Sequence, residues 1–339
     1  MQGLPLSQEY FFQVGLPEIQ RQYPDYASRM AAGLVGDGSE CFSFDDQTSQ
    51  DHDWGPSFQI WLTPEDYEAF GVQLQQLYQS LPGEFLGYPA RIISDYGSGR
   101  VGVFEIGTFY SQFIGYRRPP KTIEEWRRLP EINLAAATNG KVFYDPVGKF
   151  TAFRQELLAY YPEDVRLKKL AARAMTVAQS GQYNFLRCAR RSEWVAASYA
   201  EAEFMEKSIS MIFLLNKRYR PFYKWMHRAL KALPILGAEA HQMLMDLCQL
   251  SIHEYQKKNN IIEDLSQRII GELHRQHLTS SNSDFLLAKT KDYAYILTLR
   301  DPSGKPRYLP QDREAYLDGW LTHGFDGVIL IDGAEPSPY

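Results

Sequence analysis

Gly36-Asp37-Gly38-Ser39-Glu40-Cys41, followed seven residues later by Ser49-Gln50-Asp51-His52-Asp53-Trp54-Gly55-Pro56, is the stretch that decides how this chain is read. An apolar run, 29–35, leads into it and an apolar segment, 58–62, follows it, so Asp51 and Asp53 are expected at the start of a strand. Successive strand side chains point to opposite faces, which would set Asp51 and Asp53 on one face and turn His52 away. Two carboxylates placed in this way suit a hard cation. Mg²⁺ takes one or two carboxylates and fills the rest of its octahedron with water and phosphate oxygens. A turn at Gly38 and Ser39 offers bare backbone N–H groups and a hydroxyl to such phosphates.

Other motifs fail on their spacing. A calcium loop starting at Asp51 needs an acid at its fifth place and a Glu at its twelfth, where this chain has Gly55 and Leu62. A dinucleotide fingerprint needs a third glycine at Cys41, and the Gly-Lys-Ser/Thr of a phosphate-binding loop occurs nowhere. The competing reading is an acidic surface loop in which Asp45, Asp46, Asp51 and Asp53 are merely solvated.

Gly38-Ser39 followed by Asp51-His52-Asp53 before an apolar segment resembles the signature of the polymerase-beta-type nucleotidyltransferase superfamily. The longer string 38–56 resembles one bacterial domain family of unknown function placed in that superfamily, as do the stretches 138–154, 181–187 and 212–225. The resemblance implies metal-dependent nucleotidyl transfer. Mg²⁺ or Mn²⁺ would be held by Asp51 and Asp53, and the outer phosphates of a nucleoside triphosphate, ATP in the first instance, would rest on Gly38 and Ser39. A hydroxyl acceptor would attack the α-phosphate and pyrophosphate would leave. Members of this superfamily place a third carboxylate on a later strand. The candidate strand is 100–106, and Glu105 is the acid in it, with Asp95 upstream as a substitute. The alternative function, from another class, is a module that binds or senses Mg-ATP without transferring it.

Composition narrows the surroundings. At 339 residues, 44% apolar and 14% aromatic, the chain is long enough for two domains and a small third unit. A net charge of −5, from 36 basic and 41 acidic residues, gives no global argument for a nucleic acid or membrane partner, and it counts against a long nucleic acid. The three cysteines, Cys41, Cys188 and Cys248, are odd in number and widely spaced, which fits a reduced, cytoplasmic protein. No secretion signal or run long enough to span a membrane is visible, so neither is expected.

The expected architecture is α+β. A nucleotidyltransferase-like mixed sheet with flanking helices occupies 1–149, an all-helical bundle 150–279, and a small strand-helix-strand appendage 280–339. Two short helices broken at Pro17 and Pro24 are expected over 8–34, a helix opening at Thr63-Pro64-Glu65 and carrying Phe70, Leu74 and Leu77, and a short strand over 140–145. In the bundle, Phe204, Ile209, Ile212, Phe213 and Leu215 fall at core spacing. Between Arg187 and Lys231 stand ten Lys or Arg against four Glu. There Arg187, Lys217 and Lys224, set among Tyr183, Tyr219, Tyr223 and Trp225, would suit a triphosphate held by cations and a base stacked on a ring, or equally a solvated basic helix face.

Overall fold

The computed structural model describes residues 1–94, 97, 99–279, 284 and 286. Asp95 and the expected appendage at 280–339, apart from isolated positions, lie outside the described residues. The chain divides into two compact units, one made of 1–120 with 132–159 and the other of 121–131 with 160 onward. Residues 150–159, expected from the sequence to start the bundle, thus group with the first unit.

The fold is α+β, and the first unit is built on a mixed four-stranded sheet of order β3-β2-β1-β4. Here β1 is Ala31–Leu34, β2 Gln59–Leu62, β3 Gly102–Glu105 and β4 Lys141–Tyr144. β1 runs antiparallel to both β2 and β4, whereas β3 runs parallel to β2. Every residue of β1 and β2 is buried, because both faces of the sheet are covered.

One face carries Ala32, Ile60, Leu62 and Val103 and packs on Phe11, Phe70, Leu74 and Leu77. Phe70, Leu74 and Leu77 come from the helix Pro64–Ser80, which begins as its sequence suggests, with Thr63 accepting from Asp66 N and Pro64 in the first turn. On the other face Trp61 stacks on Phe150, at 3.7 Å between ring centroids, and meets Phe109 edge-on. Phe150 belongs to the helix Lys149–Leu158, which therefore completes the sheet's second layer.

The N-terminal helices differ from expectation. Gly3–Tyr10 and Leu16–Gln22 are joined without a break through a π-helical turn, Phe11–Gly15, and Pro17 does not end the helix. In a regular α-helix its ring would crowd the carbonyl four residues back, and the wider π turn just before it relieves that crowding.

The second unit is helical in its described residues: Ile123–Arg127, Glu163–Val177, Ala178–Phe185 as a π-helical segment, Leu186–Arg190, Trp194–Leu215, Tyr223–Leu230, Gly237–Gln249 and Tyr255–Arg275. Phe204, Ile209, Ile212, Phe213 and Leu215 are buried in it, as their spacing indicates. Among the described residues no helix is long and apolar enough to cross a membrane.

Candidate functional site

The Gly36–Ser39 turn leaves the end of β1, and two of its residues are glycines because the backbone demands it. Gly36 has φ +120° and Gly38 φ +134°, a region that side chains with a Cβ avoid. The turn is pinned from three directions. Asn139 clamps Gly36, its Nδ2 donating to Gly36 O at 2.7 Å and its Oδ1 accepting from Gly36 N at 2.8 Å. Gln59 does the same to Val35, accepting from Val35 N and donating to Val35 O, both at 2.8 Å, and it also donates to Arg100 O at 2.6 Å. Gly140 N donates to Cys41 O at 2.8 Å, so the short helical turn Glu40–Phe42 is tied to the start of β4.

Among the described residues the N–H groups of Asp37, Gly38 and Ser39 donate to nothing, and these three residues are not buried. Three consecutive unspent donors on a glycine-opened turn suit an anion. The Glu40 carboxylate lies against Gly38 and pairs with Arg91 at 3.2 Å, and Arg91 in turn donates to Ser57 Oγ at 3.1 Å. Burial pushes the Glu40 carboxyl above the usual carboxylate range in spite of Arg91.

The expectation that Asp51 and Asp53 open a strand is corrected. β2 begins only at Gln59, and the two acids precede it in irregular chain: Asp51 caps the end of the short turn Gln47–Gln50, and Asp53 has φ +51°. The strand-alternation argument for their convergence therefore does not apply, and their surroundings are opposite. The Asp51 side chain is 65% exposed and pairs with His52 Nδ1 at 2.9 Å. The Asp53 side chain is 7% exposed and accepts from Ser94 N at 2.9 Å, Ser94 Oγ at 2.5 Å and Arg100 Nη1 at 3.5 Å. Burial alone would raise the Asp53 pKa, but the bonds from Ser94 and the charges of Arg100 and Arg91 outweigh it and hold the carboxyl below its ordinary value. Asp45, buried rather than solvated, accepts from Gly3 N and Trp54 Nε1. Among the described residues no group of three or more His, Cys, Asp or Glu is arranged to hold a metal ion.

Glu105 lies at the end of β3, opposite Leu62, and it is buried. Its carboxylate caps the helix Ile106–Ile114: it accepts from Gly107 N at 2.7 Å, Thr108 N at 2.6 Å and Thr108 Oγ1 at 2.7 Å, and it pairs with Arg117 at 2.7 Å. Burial pushes its pKa up, the Thr108, Gly107 and Arg117 bonds push it further down, and the carboxyl ends below the glutamate range. A carboxylate with its lone pairs so committed is a weak proton acceptor.

The cations expected to hold phosphates all lie in the second unit, each on a local partner. Arg187 stands over the Tyr183 ring at 4.5 Å and Lys224 over Trp225 at 5.0 Å, whereas Lys217 faces Glu163 at 3.6 Å. The cations buried in that unit are others, Arg166, Lys168, Lys169, Arg173, Arg220 and Lys258. Arg173 Nη2 and Arg220 Nε flank the fully buried Glu131 at 3.6 and 3.7 Å, and Ser210 Oγ donates to it at 3.2 Å. Arg166, Lys169 and Arg173 recur at helical core spacing along Glu163–Val177, a sign readable in the sequence as charge where apolar residues belong. The first-unit residues that sequence reasoning missed, Gln59, Arg91, Ser94, Arg100 and Asn139, carry no such local sign.

Against known families, residues 126–226 match one described as a domain of unknown function (DUF4037). The match covers less than half of the chain, and the stretches 138–154, 181–187 and 212–225 fall inside it. No curated protein matches. A nucleotidyltransferase-like protein from Exiguobacterium sibiricum 255-15, known as a crystal structure, is similar at 10% identity over 91% of this chain and 92% of that chain, with a TM-score of 0.37. That likeness is too distant to carry chemistry from one chain to the other.

Proposed function

We propose that this chain binds the polyphosphate of a magnesium-complexed nucleoside triphosphate at the Gly36–Ser39 turn and transfers the nucleoside monophosphate to a hydroxyl acceptor. The acceptor oxygen bonds to the α-phosphorus, the bond to the pyrophosphate oxygen breaks, and the acceptor's proton passes to solvent. The observation that carries this reading is the row of unspent N–H groups at Asp37, Gly38 and Ser39, held in shape by Asn139 and Gln59. A rigid cradle of this kind positions a phosphate without reorganising when it binds. Asp51, exposed and committed only to its neighbour His52, fits a Mg²⁺ that keeps water and phosphate oxygens as its other ligands. Such an ion, when bound, neutralises phosphate charge and polarises the α-phosphoryl group. Asp53 acts as a positioning residue, fastening Ser94 and Arg100 beside the cradle.

The second reading, a module that binds Mg-ATP without transferring it, is favoured by one observation. Glu105, the carboxylate on β3, is spent on capping a helix. Calorimetric titration of ATP, GTP, CTP and UTP in Mg²⁺ against wild type and Asp51→Ala tests binding, and pyrophosphate release tests transfer. Asp51→Ala is the cleaner variant because Asp53 also holds structure. One triphosphate should bind wild type and bind the variant at least about tenfold more weakly. Equal binding by both, or none by either, defeats both readings. Binding without pyrophosphate from any hydroxyl acceptor leaves the second.

A further inference from the structure

Three arginines of the first unit lie within electrostatic range of Cys41, which follows the Gly36–Ser39 turn: Arg91, Arg100 and Arg154. Two have acid partners, Arg91 in Glu40 and Arg100 in Asp53. Among the described residues Arg154 pairs with no carboxylate. Its Nη2 donates to Thr138 O at 2.6 Å and to Gly140 O at 3.5 Å, the two carbonyls that flank Asn139, the residue clamping Gly36. Its Nη1 is buried and meets no acceptor. Asp145, which like Arg154 lies within electrostatic range of Tyr110, is spent on Gly148 N and Thr151 N, and burial keeps the Tyr110 phenol neutral.

A guanidinium does not shed its proton inside a protein, so half-burying one, with Nη1 shut off from solvent and no counter-charge beside it, costs stability that a neutral side chain would not. Neutral carbonyls alone, as at Thr138 and Gly140, do not need a cation to hold them. The charge makes sense if its complement arrives with a ligand. We infer that Arg154 is the fixed counter-charge of the polyphosphate cradle, set behind the Asn139–Gly140 corner so that the Gly36–Ser39 turn selects ligands with clustered negative charge over monophosphates and nucleosides. Asp37, exposed at the middle of the turn, opposes that field, so the selection depends on Arg154 outweighing it. Because its nearest hydrogen-bond partners are protein carbonyls, Arg154 is a positioning charge, not a ligand. The inference rests on the anion cradle of the proposed function and adds its source of charge selectivity.

The test uses the full chain and inorganic tripolyphosphate without metal at low salt, with affinity from calorimetry and unliganded stability from thermal melting. The first variant is Arg154→Gln, which retains an N–H donor for the Thr138 carbonyl but carries no charge. Wild type should bind tripolyphosphate more tightly than monophosphate, and Arg154→Gln should bind tripolyphosphate about tenfold or more weakly and lose most of that preference. A purely structural clamp would lower the melting temperature and leave the affinity of the folded variant within about twofold, which overturns the inference. So does wild type failing to bind tripolyphosphate. If Arg154→Gln does not fold, Arg154→Lys replaces it: retention of affinity to within about threefold supports the inference, and a tenfold loss overturns it. Pyrophosphate release whose dependence on nucleotide concentration is unchanged in Arg154→Gln sinks this inference and spares the transferase. Tripolyphosphate binding through Arg154 in a chain that never releases pyrophosphate does the reverse.

Discussion

Replacing Asn139 by alanine removes both hydrogen bonds that hold Gly36, at 2.7 and 2.8 Å, and leaves a buried N–H and a buried C=O unmatched. Losing each bond costs about 1 kcal/mol net, rising to about 2 kcal/mol where the partner is left buried and unmatched, so the local cost is about 2–4 kcal/mol. The chain has two units, and a single unfolding midpoint would mix them. Amide hydrogen exchange followed on peptides covering 31–36 and 59–62 reads β1 and β2 directly. Exchange of the Gly36 amide and its β1 neighbours should accelerate roughly thirty- to thousandfold, the range that such a cost implies. Asn139→Asp is the companion: it keeps an acceptor for Gly36 N but turns a carboxylate oxygen toward Gly36 O, and it should cost at least as much as alanine. A change of less than about 0.5 kcal/mol in these peptides for both variants would refute the clamp and, with it, the rigid cradle on which the functional reading depends.

Two further outcomes follow from the acids. The Asp53 carboxyl is held below its ordinary value of 3.8, so its contribution to stability is complete above that pH and is lost as pH falls through the depressed folded value. Asp53→Asn should therefore be less stable at neutral pH and show a flatter decline below pH 3.8 in acid-unfolding curves, whereas parallel curves would mean that Ser94 and Arg100 do not hold the carboxylate. Glu105→Gln should lower the stability of the first unit by about 1 kcal/mol, as loss of a helix cap does, with little effect on nucleotide affinity. A hundredfold loss of pyrophosphate release at unchanged stability would restore Glu105 as a catalytic base.

The fold was legible in the sequence where one residue type decides one local structure. Pro64 after Thr63 opens a helix, the buried runs at 31–34 and 59–62 make strands, and the stripe from Phe204 to Leu215 makes a core. It was less legible where a neighbour absorbs the signal. Pro17 reads as a break, and the π turn at Phe11–Gly15 cancels it. Asp51 and Asp53 read as strand-start residues because 58–62 is apolar, yet Trp54 packs against Asp45 and Gly55 against the backbone at Arg91, which lengthens the approach to β2. An alternating pattern records which face a strand buries but not where a preceding loop is pinned.

The site divides along the same line. Gly38 and Ser39 were identifiable because the left-handed backbone needs glycine and a phosphate cradle needs bare N–H groups, both properties of the residues themselves. Asn139, Arg154 and Arg91 were not, since asparagine and arginine at those positions suit many surfaces, and their roles come from partners far along the chain: Asn139 lies 103 residues from Gly36. A cradle built from local glycines but stiffened by distant side chains makes a specific demand on evolution of the chain: the turn can be kept intact while its charge is retuned through Asp37, or through Arg154, which bonds to the Thr138 and Gly140 carbonyls and not to the turn itself. Binding strength and turn geometry are thereby separable, and substitutions at Asn139 and at Arg154 should separate them, the first loosening β1 and the second changing which anions are held.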